Sequence, residues 1–532
     1  MNAVKNKPNY KFWIYFSLIY LFLSVIVSYS SLFGDWTYSI WGVQHCKNWD
    51  PDSAYLVSGL TFLRSRYVDW IGHPGHTLMV LTYLVAKIYY FFSTLTSSGI
   101  TYDVFVAKNI YWVIFLTRTF VTVFHIISCF ILYKLAIRIL GDDLKAKVSV
   151  ILYSLSYPFL LYINKISPES VLVTFSLLSV LFLWMFYENV EKFEKIGGKS
   201  IILLILSAFS CSLALCSKFF IAIPLPFILF AILLFQKQTP SNLSKMTLSR
   251  RLGFSAIFLV SSVLFALGVF YKLHWDNFIE FWFGFAPSEP SYNTQLAWHH
   301  NLISKTPYIL GGLVKILPQF FSLKKYLPGL STPSGLFFTA SYLYILVSIS
   351  GIVLFFKHKK MRHPYSFWCF ILLLSLMPVY LYKFGWHYLF IQMALLSIFA
   401  SYSIFKFADF ISSTYRKHVV VVLIIVISGT GAVFAINSKY KDHEEYAKKW
   451  QPYFQALNSV DYGQKVYLLK APDPDLAVGC MMRFISDRAN FYAEYRNFFV
   501  SAGDNIVEMD RITKPYFLIE QKNENVEFKR VE

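Results

Sequence analysis

Residues 200–236 read SIILLILSAFSCSLALCSKFFIAIPLPFILFAILLFQ: two uncharged runs of 18 residues, 200–217 and 219–236, divided by Lys218. A helix crosses a bilayer with about 20 apolar residues. Each run is therefore a crossing, and Lys218 marks the turn between them. The pattern recurs along the chain. Residues 12–34 hold 23 without a charge, directly after Lys5, Lys7 and Lys11. Further uncharged runs cover 148–164, 170–187, 252–271, 336–356, 364–382, 384–405 and 419–438, and 75–97 is interrupted only by Lys87. Of the 532 residues, 56% are apolar, 19% aromatic and only 15% charged, with a mean hydropathy of +0.49. Soluble domains are about a quarter charged. This composition excludes a soluble multidomain chain, a disordered one, and collagen-like or disulfide-framework folds. It predicts a polytopic α-helical membrane protein.

The net charge of +19 would suggest nucleic acid in a soluble chain. Here the basic residues gather between apolar runs, as membrane topology requires, so no nucleic-acid partner is expected. Lys134, Arg138, Lys145 and Lys147 form one cluster. Lys192, Lys195 and Lys199 form the next, followed by Lys237, Lys245, Arg250 and Arg251. Then come Lys357, Lys359, Lys360 and Arg362, and finally Arg416 and Lys417. Two runs separate successive clusters, so all five fall on the cytoplasmic side. The run 12–34 is too long for a signal-peptide core and reads as an uncleaved anchor with its N-terminus inside.

Residues 104–139 number 36, about 54 Å as one helix. They are expected to make two short crossings, the first ending near Arg118, for a total of about 13 spans. The membrane domain then covers 1–438, with a first external loop at 35–74 and a large one at 272–335. The remainder, 439–532, reads as a small extracytoplasmic α/β domain, helix-like over 442–457 and strand-like over 465–469 and 516–520. Cys129, Cys211, Cys216 and Cys369 lie in apolar runs as inert core residues, which leaves Cys46 and Cys480 as the one pair placed for a bridge.

Ionisable residues at membrane depth are functional candidates, and this topology collects most of them on the external side. Asp50 and Asp52 flank Pro51 in the first loop, either as a solvated turn or as carboxylates projecting into a cleft. His73-Pro74-Gly75-His76 opens a span, with Pro suited to a first helical turn. Arg118 lies within an apolar stretch, and Pro168-Glu169 starts another span, where the helix dipole favours a carboxylate. Lys218, Lys383 and His387 recur on the same side, each able to snorkel to the interface or to meet a lipid phosphate. His299-His300 in the large loop reads as interfacial. A carboxylate can act as general base toward an acceptor, and cations can neutralise a phosphate leaving group. Together they suit a lipid-linked phosphosugar.

In this order the motifs resemble the GT-C superfamily of membrane glycosyltransferases, in the branch of protein O-mannosyltransferases and the lipid A aminoarabinose transferase. Asp50-Pro51-Asp52-Ser53-Ala54-Tyr55 and His73-Pro74-Gly75-His76 are similar to that branch's acidic first loop and His-Pro-Pro-Leu helix start, with Gly75 in place of the second Pro. Leu116-Thr117-Arg118 resembles its Leu-Arg helix, and Leu132-Tyr133-Lys134-Leu135-Ala136-Ile137-Arg138-Ile139-Leu140-Gly141 its basic helix end. Pro168-Glu169 resembles its Pro-Glu start, Ser212-Leu213-Ala214-Leu215-Cys216-Ser217-Lys218 its Leu-Thr-Lys stretch, and His387-Tyr388 its late Arg-Tyr.

The resemblance implies a GT-C-like fold and inverting transfer of a sugar from a polyprenyl-phosphate donor to an extracytoplasmic acceptor, namely lipid A, polysaccharide or protein. Asp52, or failing it Asp50, is the expected general base. His73, Arg118, Glu169, Lys218, Lys383 and His387 are the expected substrate contacts. No metal is required, although Asp50 and Asp52 could serve as ligands to a divalent ion. The expected partners are the lipid-linked donor, membrane lipids and the acceptor, and the simplest home is a bacterial inner membrane with the site on its periplasmic face. A polysaccharide polymerase or ligase and a lipid-linked glycan transporter are the alternatives.

Overall fold

The computed structural model describes residues 10–33, 55–56, 59–60, 75–95, 101–102, 105–106, 109–163, 165–193, 197–235, 247–270, 344, 346–355, 357, 390–409, 411, 413–426, 466–469, 516–522 and 525–531. The helices are α1 Tyr10–Phe33, α2 His76–Thr94, α3 Ile110–Leu140, α4 Asp143–Ser154, α5 Tyr157–Tyr162 and α6 Pro168–Phe193. They continue with α7 Gly198–Ser217, α8 Phe219–Ala222, α9 Pro224–Phe235, α10 Leu248–Val269, α11 Phe390–Ala408 and α12 Ser413–Ile424. Among the described residues, six helices are long and apolar enough to cross a membrane: α2, most of α3 and α6, α7, α10 and α11. The chain is a multi-pass membrane protein.

The expected pair of crossings in 104–139 does not form. Helix α3 runs unbroken for 31 residues, and Arg118 lies inside it, not at a turn. No Gly or Pro interrupts 110–140. The hydroxyls of Thr117, Thr119 and Thr122 donate to the carbonyls four residues back, at 2.7, 2.9 and 3.1 Å, so these polar residues need no turn to satisfy them. The helix ends where the sequence supplies an end. Gly141 adopts φ 69°, its N–H donates to Ile137 O at 2.9 Å, and Asp142 then caps α4 by accepting from Lys145 N at 3.0 Å.

A continuous α3 also fixes how α1 lies beside it. Helix α1 runs antiparallel to it. The Trp13 ring lies 5.1 Å from Phe130 and 5.3 Å from Tyr133, while Ser24 and Thr122 share a hydrogen bond of 2.6 Å further on. The end of α1 and the start of α3 thus lie at the same end of the bundle. After α2, Tyr102 packs on Tyr83 and Tyr90, and Phe105 on Tyr89 and Tyr90.

Hydroxyl groups fix the helices axially, as small polar residues do between membrane helices. Helices α3 and α6 run parallel. Thr174 Oγ1 donates to Phe124 O at 2.8 Å, and Arg138 Nε to Glu188 Oε1 at 3.2 Å, and each pair is 50 residues apart. Helices α6 and α7 run antiparallel, joined by Ser179 to Ser207 O at 2.8 Å and Asn189 to Ser200 at 2.7 Å. Helix α10 runs parallel to α7, with Ser212 donating to Ser262 O at 2.6 Å. Helix α11, buried over most of its length, meets α4 through Ser401 Oγ to Lys145 O at 2.7 Å.

These registers give the bundle two chemically distinct ends. One gathers the starts of α2 and α6, the ends of α7 and α10, and Arg118. The other carries Lys134, Arg138, Lys145 and Lys147. Arg118 and Arg138 are twenty residues apart on one helix, or about 30 Å, the thickness of the hydrocarbon core. At the basic end Asp143 accepts from Tyr133 and from Lys147. Burial disfavours its charge, but these two donors outweigh burial and hold the carboxyl below its usual range.

In the tail three strands form one sheet in the order β1 Val466–Leu469, β2 Tyr516–Lys522 and β3 Asn525–Val531. Strands β1 and β2 are parallel, with Val466 opposite Phe517, and β2 and β3 antiparallel, with Tyr516 opposite Val531. The first two strands were expected. The third, Asn525-Val526-Glu527-Phe528-Lys529-Arg530-Val531, with three charges among seven residues, was not. The expected helix over 442–457 lies outside the described residues.

Candidate active site

Helix α6 begins Ser167-Pro168-Glu169-Ser170. Pro fits the first turn, since it lacks an N–H that would be orphaned there, and Glu169 meets the positive end of the helix dipole. Ser167 Oγ donates to Glu169 Oε2. On the facing helix, α7 stops at Ser217. Lys218 takes φ −154°, ψ 85°, its N–H donates to Ala214 O at 3.3 Å, and its carbonyl accepts from Ile221 and Ala222 in the single turn of α8. Pro224 and Pro226 follow, so the chain cannot simply continue α7. Lys218 therefore occupies a break between helices, as its sequence position suggested. Its Nζ lies 2.5 Å from Glu169 Oε1, with the two side chains 2% and 1% exposed.

A buried ion pair of this kind is costly to assemble, and removing one member leaves the other charge uncompensated, at about 3–5 kcal/mol. A lysine that snorkelled to the interface would not be enclosed. The fifty-residue stagger of α3 and α6 puts Glu169 level with Thr119, beside Arg118, whose side chain is 2% exposed. Of the residues read from the sequence, Arg118, Glu169 and Lys218 thus converge at one level. Asp50, Asp52, His73, Lys383 and His387 lie outside the described residues, as do Cys46, Cys369 and Cys480. Cys129, Cys211 and Cys216 are free and buried.

Two further residues join this end. His76 is fully buried at the start of α2, edge-on to Phe270 at 5.0 Å, and Phe270 in turn meets Phe219, the neighbour of Lys218, at 6.2 Å. Thr77 Oγ1 donates to Leu213 O at 2.9 Å, which ties α2 to the last turns of α7. Lys165, 8% exposed, lies in the turn before α6 with its Nζ 4.8 Å from the centre of the Tyr162 ring. The sequence reading passed over it, although 165–169 is the gap between two apolar runs and holds two charges.

Gly75 also acquires a reason. A Cβ there would stand 2.1 Å from Tyr55 Cε1, so Gly75 makes room for the buried Tyr55 ring. Among the described residues no group of three His, Cys, Asp or Glu could hold a metal ion.

The sequence profile of the family described as dolichyl-phosphate-mannose-protein mannosyltransferase matches residues 111–265, which contain Arg118, Lys165, Glu169 and Lys218. The crystal structure of ArnT from Cupriavidus metallidurans in the apo state superposes with a TM-score of 0.52 at 10% identity, over 95% of this chain and 93% of that one. The chain has the GT-C fold. The same ArnT bound to undecaprenyl phosphate gives the same TM-score, identity and coverage. The archaeal oligosaccharyltransferase AglB from Archaeoglobus fulgidus, in complex with an inhibitory peptide and a dolichol-phosphate, gives 0.49 at 12% identity, over 96% of this chain and 70% of that one. No curated protein matches the sequence.

Proposed function

We propose that this GT-C chain is a glycosyltransferase that moves a sugar, with inversion, from a polyprenyl-phosphate donor to an extracytoplasmic acceptor on lipid A, polysaccharide or protein. The buried Lys218–Glu169 pair, level with the buried Arg118, carries the reading. It is an enclosed, charged constellation about one hydrocarbon thickness from the basic end, where a lipid phosphate resides. In this reading the acceptor oxygen bonds to the anomeric carbon and gives its proton to Asp52, or failing it Asp50. The bond from that carbon to the phosphate oxygen breaks, and its electron pair stays on the phosphate. Lys218 and Arg118 stabilise the charge that develops, with His73, Lys383 and His387 as further contacts. Glu169 orients Lys218 and keeps its ammonium from the full cost of burial. No metal is needed for a donor with a single phosphate. Residues 1–438 form the transferase and 439–532 an extracytoplasmic domain, in a bacterial inner membrane with the site on its periplasmic face.

The decisive assay uses purified protein and a native lipid extract as donor source. Wild-type protein is expected to release polyprenyl phosphate and glycosylate an acceptor fraction. Asp52→Asn is expected to fall about 10²–10⁴-fold, as loss of a general base does. Lipid donor recovered with its sugar–phosphate bond intact would overturn the proposal and indicate transport. Full activity of Asn variants at both 50 and 52 would remove the carboxylates from the chemistry.

A further inference from the structure

Helix α2 is long and apolar enough to cross a membrane, yet it packs at one end of the bundle. Its start meets Phe270 and the last turns of α7. Its second half meets Tyr102 and Phe105. Those two residues lead straight into α3. The N–H of Phe105 donates to Thr101 O at 2.9 Å, that of Asn109 to Phe105 O at 3.0 Å and that of Val113 to Asn109 O at 3.0 Å. The buried cluster that holds Leu78, Met79 and Ala86 takes Val113, Ile114 and Val121 from α3, and among the described residues it reaches no further along that helix than Phe124. A crossing α2 would carry Lys87, eleven residues in, about 16 Å toward the basic end, level with the second half of α3. Lys87 lies instead beside Tyr102, which precedes α3.

The sides of α2 differ in kind. Leu84, Ile88, Phe91 and Phe92, with Leu95 just past its end, form one exposed apolar face. Leu78, Met79, Thr82 and Ala86 are buried on the opposite one. Tyr83, Lys87 and Tyr90, at i, i+4 and i+7, run along the flank between them. The Lys87 ammonium stands 3.9 Å from the centre of the Tyr102 ring, 5.5 Å from that of Tyr83 and 5.6 Å from that of Tyr90. No carboxylate pairs with it among the described residues. Ring faces hold a cation in place, but its three N–H donors still call for oxygens. A helix so divided lies in a membrane interface, with its apolar face among acyl chains and its Tyr and Lys among headgroups. From this placement we infer that α2 lies in the interface at the Lys218 end, and that Lys87, framed by Tyr83, Tyr90 and Tyr102, binds the phosphate of an anionic phospholipid there. The apolar face continues from this flank and receives the acyl chains of the same lipid. The assignment rests on the membrane fold and not on the transfer reaction.

The test uses the full-length protein. In native mass spectrometry from detergent, titrated with phosphatidylglycerol or phosphatidylcholine, wild type is expected to retain a phosphatidylglycerol that Lys87→Gln holds about 5- to 10-fold more weakly, as loss of one lysine at an anionic lipid surface implies. Phosphatidylcholine should bind both alike, and Lys87→Arg, which keeps the charge, should bind as wild type does. Equal phosphatidylglycerol affinity in wild type and Lys87→Gln overturns the site. So does a loss confined to added undecaprenyl phosphate, which would make Lys87 a contact of the polyprenyl lipid. Lys87→Met takes the place of Lys87→Gln if that variant does not fold, and if neither neutral variant folds the lysine is structural and the assignment falls. The placement of α2 is checked with a membrane-impermeant maleimide on sealed vesicles, before and after permeabilisation and above the wild-type background. Lys87→Cys should label from the side opposite to Leu248→Cys, which stands beside a basic loop. Labelling from the same side, or none from either, would put residue 87 within or across the bilayer and overturn the interfacial helix.

Discussion

Helices α3, α6 and α7 are held at each end by an ion pair, and the two pairs differ in nearly everything but their charges. At the basic end Arg138 and Glu188 meet at 3.2 Å with side chains 25% and 45% exposed. At the other end Lys218 and Glu169 meet at 2.5 Å in near-complete burial. The first is an ordinary surface bridge, worth about 0–1 kcal/mol. The second is a poor way to build stability, since apolar residues of similar volume would do as well or better. Its presence in an apolar bundle is what makes that end the candidate site.

The largest effect should come from breaking the buried pair. Lys218→Met alone is expected to lower stability by about 3–5 kcal/mol, measured by unfolding in a single detergent. Adding Glu169→Leu should restore most of that loss. Turnover should stay down by about 10²-fold or more in both variants. Recovery of activity together with stability would mean that the pair is architectural.

Gly75→Ala comes next. Overpacking against Tyr55 should cost about 1–3 kcal/mol, and Tyr55→Leu in the same chain should relieve it. An unchanged unfolding midpoint for Gly75→Ala would show that the ring does not lie there. The smallest effect belongs to the exposed bridge. Arg138→Ala should change stability by less than about 1 kcal/mol and leave turnover untouched. A loss as large as that of Lys218→Met would erase the distinction between the two ends.

Five of the six described helices long and apolar enough to cross were legible because length and hydropathy are local properties. The same holds for Lys218, since a lone cation between two apolar runs has few places to go. The partner of Lys218 was not legible. Glu169 is 49 residues away, and which residues of α6 and α7 face each other is set by packing between the two helices, serine and asparagine bonds included. Arg118 misled for a related reason. A cation in a long apolar run reads as a turn unless a neighbouring helix encloses it, and enclosure is a property of packing. Lys165 was overlooked because Glu169, in the same short gap, had a familiar motif around it. The third strand was missed because a segment with three charges in seven residues looks like a solvated stretch.

The stagger between α3 and α6 works as a ruler. Thr174 and Phe124 set its zero, Arg138 and Glu188 lie at its far mark, and Thr119, next to Arg118, and Glu169 are read off at the near one. A slip of one residue would move α6 by 1.5 Å, enough to misalign a phosphate. Alignment at the candidate site is thus set several turns away, by groups outside it. The charged residues are left free to be chosen for chemistry alone.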